Sequence, residues 1–325
     1  MTGAAVERIF SPAAVDDLLA APTARGDLSV LNGHAVVAVD CSAVPPDPRT
    51  LAALRTLPLV TVGVGEWHDA FDVIIDHEGQ LPALSSAIAA NPQAAVTLVQ
   101  LLRMGDTLSP LDALVAESLA YATLQSGAEF ARWLAGRGAR VRRPESEAPT
   151  LVTREGDLLR VVLNRPRVHN LYNAAMRDAL VEALVIAAAD PHLRVEITGS
   201  GRSFSAGGDL AEFGSVSDPA TAHLIRSTAN AAPYLVALAD RVSVRAHGAC
   251  VGAGAEIAAF ARHLQASADA FFQLPEVSMG LIPGAGGTVS IANRIGRQRT
   301  AWMALTGERV DARTALAWGL VDAIG

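Results

Sequence analysis

Glu256 follows Gly252-Ala253-Gly254-Ala255, Glu276 follows Leu274-Pro275, and both neighbourhoods are otherwise apolar, small or glycine-rich. A carboxylate buried in such surroundings is costly unless it is paired, hydrogen-bonded or protonated. Two of them suggest acid–base chemistry that uses perturbed carboxyl pKa values. Each also has a plainer role when taken alone. Glu256 could be a first-turn acid favoured by a helix dipole, and Glu276 an acid capping the turn after a strand.

Two glycine-rich runs could supply the complementary donors. The run from Gly199 to Leu210 follows an expected strand and is expected to open a helix, a geometry whose backbone N–H groups bind anions and oxyanions. Val251-Gly252-Ala253-Gly254 is a second such place, so two peptide N–H groups could converge on one carbonyl oxygen. Neither run has the dinucleotide spacing Gly-x-Gly-x-x-Gly, and close helix packing would also account for the glycines. Asp209-Leu210-Ala211-Glu212 has capping-box spacing, which favours a helix cap over a catalyst for Asp209.

These segments need a scaffold, and 325 residues, half of them hydrophobic, can bury a large core. Hydrophobic alternation and turn residues predict a tail with a helix over 1–27, then a short β-α-β piece over 34–63. Residues 81–137 read as helices only, with Ser109 as N-cap, Pro110 at the first helical position and Asp112 in the first turn. The acidic, proline-flanked stretch at 144–150 is the expected boundary between a region at 28–143 and a core at 151–325. Within that core a hairpin is followed by alternating strands and helices, including one helix over 221–238, which makes the class α/β.

Composition excludes several functions. A net charge of −7 argues against a nucleic-acid surface. The arginines at 137, 140, 142 and 143 are expected to belong to a solvated linker. All 26 basic residues are arginine, so Schiff-base catalysis and a Gly-Lys phosphate loop are ruled out. Cys41 and Cys250 are too few for a disulfide framework or thiolate metal site, and Cys250 is expected to be a packed thiol. His169, His247 and His263 lack ligand spacing. No metal, no membrane insertion and a cytosolic location are the expectations.

Several motifs in order carry a resemblance. Ser203-Phe204-Ser205-Ala206-Gly207-Gly208-Asp209-Leu210, the run 247–257, and Leu274-Pro275-Glu276 through Ile282-Pro283-Gly284-Ala285-Gly286-Gly287-Thr288 resemble the enoyl-CoA hydratase/isomerase (crotonase) family. Asn164-Arg165-Pro166 with Asn170-Leu171-Tyr172-Asn173 is similar to an early motif of that family, and Trp318-Gly319-Leu320-Val321-Asp322 to a late one. The resemblance covers residue 151 to the end. It implies a spiral of ββα units that binds acyl-CoA thioesters, with no separate cofactor and with homo-oligomers, trimers or dimers of trimers. It also assigns an oxyanion hole to the N–H groups of Ala206 and Ala253, and substrate or CoA contacts to Arg167, Arg202, Gly207, Gly208, Asp209 and Gly252. The family's hydratases use two glutamates twenty positions apart, and 276 − 256 = 20 here. Glu256 is then the base toward water and Glu276 the acid toward Cα.

The expected activity is therefore hydration of a 2-enoyl-CoA. Its alternatives are an enoyl-CoA Δ-isomerase, and an acyl-CoA-binding subunit without catalysis. Two departures stand out. Ala253 replaces the family's usual glycine, which would strain the backbone if the site needs φ > 0. Residues 81–137, with Ile88-Ala89-Ala90-Asn91-Pro92 and Glu117, resemble the family's C-terminal helices placed before the core, which predicts that they pack over the site or at a subunit interface.

Overall fold

The computed structural model describes residues 8–44, 46–138 and 147–325. Part of the expected linker at 144–150, together with Arg140, Arg142 and Arg143, lies outside the described residues.

The central N-terminal strands are short, valine-rich runs that are largely buried, as parallel strands require. β1 (Ile9–Phe10), α1 (Pro12–Leu19), α2 (Ala24–Asp27), β2 (Val36–Asp40), α3 (Pro48–Leu54), β3 (Val60–Val64) and β4 (Val73–Ile75) form an all-parallel sheet in the order β1-β2-β3-β4. The expected β-α-β piece is thus the centre of a four-stranded sheet. Four helices follow: α4 (Leu81–Ala90), α5 (Pro92–Gly105), α6 (Pro110–Gln125) and α7 (Ala128–Gly136). The Ser109 hydroxyl accepts the Asp112 N–H at 3.2 Å, so the N-cap stands where the sequence puts it.

The remaining chain winds between two sheets. β5 (Thr150–Glu155) and β6 (Leu158–Leu163) form the hairpin; α8 (Ala174–Ala189), β7 (Arg194–Gly199), α9 (Pro219–Thr228) and α10 (Ala232–Leu238) follow. Then come β8 (Val242–Ala246), β9 (Ala249–Val251), α11 (Ala253–Ala258), β10 (His263–Ala266), β11 (Phe271–Gln273) and α12 (Gly287–Ile295). α13 (Arg297–Thr306), β12 (Val310–Asp311), α14 (Ala312–Trp318) and β13 (Ala323–Ile324) close the chain. The strand orders are β13-β10-β8-β7-β6-β5 and β12-β11-β9. β8 and β10 enter the larger sheet while β9 and β11 enter the smaller one, and a helix follows each pair. Two successive ββα turns result.

Two expectations fail locally. The helix expected over 221–238 is broken into α9 and α10, with Ala229 off the helical backbone (φ −115°, ψ 63°), because Pro233 has no N–H to give the Ala229 carbonyl and its ring would clash with it; Asn230 Oδ1 instead accepts the Ala232 N–H at 3.0 Å. The run ending at Leu210 enters turns over 210–214 rather than a helix.

One continuous core joins the helical region to the spiral, with Leu84, Leu98 and Leu114 in the same apolar cluster as Leu180, Ile257 and Ile291. A smaller core under the N-terminal sheet contains Val15, Val39, Leu54 and Phe71. Charged groups reinforce the join. Arg103 on α5 donates to both Asp72 oxygens, at 2.8 and 2.5 Å, and Arg297 on α13 donates to the Phe71 carbonyl at 2.9 Å. Among the described residues no helix is long and apolar enough to cross a membrane.

Candidate active site

Glu256 and Glu276 line one cavity of about 410 Å³, together with Gly208, Ala253, Tyr172 and Phe213. Tyr121 and Gln125 from α6, and Phe130 from α7, complete its wall, so the helical region does pack over the site. Arg137 does not behave as a solvated linker residue. It donates to the carbonyls of Leu210 and Phe213 and lies over the Trp133 ring, pinning α7 to the 210–214 turn.

The peptide N–H groups left free at the cavity differ from the expected pair at one position. The Ala206 N–H donates to the His169 carbonyl at 2.9 Å and is already used. Two residues on, Tyr172 bridges Gly208: the Tyr172 N–H bonds to the Gly207 carbonyl and the Asp209 N–H to the Tyr172 carbonyl. In a parallel bridge of this kind the central residue's own N–H points away from the partner strand. Gly208 is that residue, and it lines the cavity where Ala206 does not. Its N–H and that of Ala253, in the first turn of α11, are the two free donors beside the glutamates. Ala253 carries no φ > 0 strain, because Gly252 takes the left-handed backbone (φ 47°).

Local chemistry fixes this wall. Asn170, fully buried at φ 53°, donates its side-chain amide to the carbonyls of Ser200, Ser203 and Phe204 at 2.8 to 3.1 Å. Gly207 stands at φ 98°, and an added Cβ would lie 3.0 Å from the Val251 carbonyl oxygen.

The two glutamates have unequal surroundings. Glu256 Oε2 accepts the N–H groups of Ala285 and Gly287 at 2.7 and 2.8 Å. Burial pushes its pKa up to about 7, and these hydrogen bonds restrain the rise. Glu276, on a 3-10 turn at Glu276–Met279, has a buried Oε2 without a partner. Burial, reinforced by the Glu256 charge, raises its pKa well above the ordinary value. The carboxyl with more hydrogen-bond donors, Glu256, suits the base, and Glu276 suits the proton donor.

A third acid escaped the sequence reading as a site residue. Glu117 on α6 is buried and accepts from the Gly286 N–H, the Thr288 N–H and the Thr288 hydroxyl at 2.8, 3.0 and 2.6 Å. Burial and then the Glu256 charge push its pKa up to about 8. The available signal was a lone acid in the apolar stretch Leu114-Val115-Ala116-Glu117.

Other expected contacts separate. Asp209 accepts from the Ala211 N–H and from Arg165, at 3.1 Å each, and Glu212 accepts from the Ala174 N–H; Asp209 therefore braces a turn, without the capping box and outside the cavity lining. Arg202 is exposed and lines a second cavity of about 850 Å³ with Ala206 and Arg309. Arg167 is exposed on a 3-10 turn and lines neither cavity. Cys250 is buried with its thiol pKa pushed up by burial, as a packed thiol should be.

The sequence pattern described as Enoyl-CoA hydratase/isomerase matches residues 153–325. The chain belongs to the enoyl-CoA hydratase/isomerase family. It is similar to the 2,3-dehydroadipyl-CoA hydratase of Escherichia coli, 36% identical over 53% of this chain and 67% of that protein. It is similar also to the mitochondrial enoyl-CoA hydratase of Pongo abelii, 32% identical over 50% of this chain and 56% of that one. An enoyl-CoA hydratase/carnithine racemase from Magnetospirillum magneticum shares the fold with a TM-score of 0.50 at 27% identity, covering 55% of this chain and 68% of that structure. The chain thus spans 56 to 67% of the length of these two curated relatives. The crotonase fold is the one expected from the motifs, and residues before 153 lie outside the family match.

Proposed function

We propose that this chain hydrates a 2-enoyl-CoA thioester. The thioester carbonyl oxygen sits between the N–H groups of Gly208 and Ala253, which stabilise the negative charge it gains as water attacks. Glu256 takes a proton from water while the water oxygen bonds to Cβ. The electron pair of the double bond moves toward the carbonyl, giving an enolate. Glu276 then protonates Cα, and addition is syn because both carboxyls act from one face. The CoA thioester is the substrate and no further cofactor is needed.

What carries the reading is that two carboxyls with unequal hydrogen bonding and two unspent peptide N–H groups line one cavity. A hydration has to supply both a base and an acid, whereas a double-bond shift needs only one proton shuttle. The test is the purified protein with crotonyl-CoA, followed by loss of the enoyl absorbance and by product chemistry. Glu256→Gln and Glu276→Gln, each shown to be folded, should lower kcat by about 10² to 10⁴. Isomerisation of a 3-enoyl-CoA without hydration, or CoA binding without turnover, would reject the proposal.

A further inference from the structure

The chain is poor in aromatic residues, which make up 5% of it, yet rings line the proposed catalytic cavity from two separate parts of the fold. Tyr172 and Phe213 belong to the wall built by the spiral; Tyr121 on α6 and Phe130 on α7 belong to the wall built by the helical region. Two of the chain's three tyrosines are thus in one place. The larger aliphatic residues of the lining are Val216 and Ile225. Among the described residues no leucine or methionine lines it, although leucine fills much of the core around it.

These rings are held in place. Phe130 stacks on Trp133 with centroids 5.7 Å apart, and Trp133 meets the Phe213 ring at 6.1 Å. The Arg226 guanidinium lies 4.4 Å from the centroid of Tyr121. Phe213 packs its edge on Gly208, where an added Cβ would stand 3.0 Å from the ring. Tyr172 bridges Gly208 through its backbone, and its ring meets no other ring or guanidinium among the described residues. Both residues therefore adjoin the N–H proposed to hold the thioester oxygen.

A fixed aromatic wall discriminates in two ways. Ring faces and ring edges carry opposite partial charges, so an aromatic guest gains more than the area it buries, and an alkyl guest does not. A flexible alkyl chain also gives up more rotamer freedom in a preformed slot than a flat ring does.

We propose that the cavity selects acyl-CoA thioesters whose acyl chain carries an aromatic ring. Tyr172 and Phe213 are the specificity-determining residues, and Tyr121 and Phe130 close the opposite side. This rests on the thioester reading above and specifies its substrate class.

The experiment compares 5-phenyl-2-pentenoyl-CoA with 5-cyclohexyl-2-pentenoyl-CoA. In both, the ring stands two methylenes from Cβ, which leaves the double bonds equally reactive. The cyclohexyl group has the larger apolar surface, so burial alone would favour it. The wild-type chain should instead favour the phenyl substrate by about three- to tenfold in kcat/KM. Tyr172→Leu and Phe213→Leu should each bring that ratio to one or below, while Tyr172→Phe, which keeps the ring, should retain it. The ratio is internal to each variant, so a general loss of rate or of folded protein does not imitate the effect. Calorimetric binding of the saturated pair, 5-phenylpentanoyl-CoA and 5-cyclohexylpentanoyl-CoA, reads the same preference without turnover. Phenyl-selective binding without hydration of either enoyl substrate would remove the hydratase reading and leave this one standing. Hydration with equal or reversed preference, or a ratio untouched in both folded leucine variants, would overturn this proposal and leave hydration intact. Binding of neither saturated thioester would also overturn it.

Discussion

Glu117 and Glu256 accept hydrogen bonds from alternate N–H groups of one turn: Ala285 and Gly287 donate to Glu256, and Gly286 and Thr288 donate to Glu117. The turn leads into α12, so both acids lie at the positive end of that helix. One carboxyl belongs to the spiral and the other to α6, which the chain builds before the spiral begins. The position of the proposed base is therefore set partly by a helix far away in sequence, acting through four consecutive peptide groups.

Glu117 is a positioning residue, and Glu117→Gln tests it. The amide keeps the shape but offers one acceptor oxygen instead of two, so the turn loosens; losing one hydrogen bond corresponds to up to about a tenfold fall in kcat. Glu117, with its pKa pushed up to about 8, still holds its proton where Glu256 titrates, so the lower limb of the kcat/KM profile, expected near pH 7 from Glu256, should stay in place. An unchanged kcat would show that Glu117 does not position the turn, and a limb moved to lower pH would show that it acts as a charge instead.

The glutamate pair was legible in sequence because carboxyls amid small apolar residues are rare without a reason, and both do line one cavity. The ββα spiral was legible through its ordered motifs. The free N–H at Gly208, which the sequence reading placed at Ala206, was not. Which N–H in an extended segment remains free depends on the register against 169–172, and Gly207 at φ 98° breaks the local alternation. Arg226 and Tyr121 were hidden for a related reason: α6 and α9 meet only in the folded chain, and neither residue stands in a motif. The helix break at Pro233 could have been read from the proline itself.

Gly252 tests how tightly Glu276 is placed. Its backbone is left-handed, and a Cβ there would stand 2.3 Å from Glu276 Oε1. Gly252→Ala should lower kcat by at least about 100-fold through displacement of the acid, with strain of about 1–2 kcal/mol in stability. Gly156→Ala is the control, since it is also left-handed (φ 59°) but has nothing within 4 Å of the added Cβ. It should cost stability and spare the rate. Equal activity of the two variants would show that Glu276 is not held by this contact.

The N-terminal sheet is anchored by a charge that cannot be removed cheaply. Asp72, 1% exposed, accepts from Arg103, the Thr61 N–H and the Thr61 hydroxyl, and Arg103 also donates to the carbonyls of Arg55, Leu57 and Leu59. Asp72→Ala leaves the guanidinium buried without its counter-charge, which should cost about 3–5 kcal/mol in chemical denaturation. None of these residues lines the cavity that holds Glu256 and Glu276, so the proposed activity of the folded fraction should persist. A loss under about 1 kcal/mol would show that the carbonyls alone satisfy Arg103.

Stability should also fall as the solution is made more alkaline across neutrality. Glu117 and Glu256 rise from 4.5 to about 8 and about 7, Glu276 rises as well, and burial is the largest cause in each. The native state therefore holds protons that the unfolded chain releases above pH 4.5. Their stabilising contribution is complete below that pH and is lost as pH climbs through 7 and 8, at up to about 1.4 kcal/mol per pH unit for each proton retained. Denaturation midpoints measured from pH 5 to pH 9 should decline, and Glu117→Gln, which cannot ionise, should flatten the decline near pH 8. A midpoint that rose over this interval, or a slope identical in Glu117→Gln, would mean that the three acids are ionised and compensated in the folded protein.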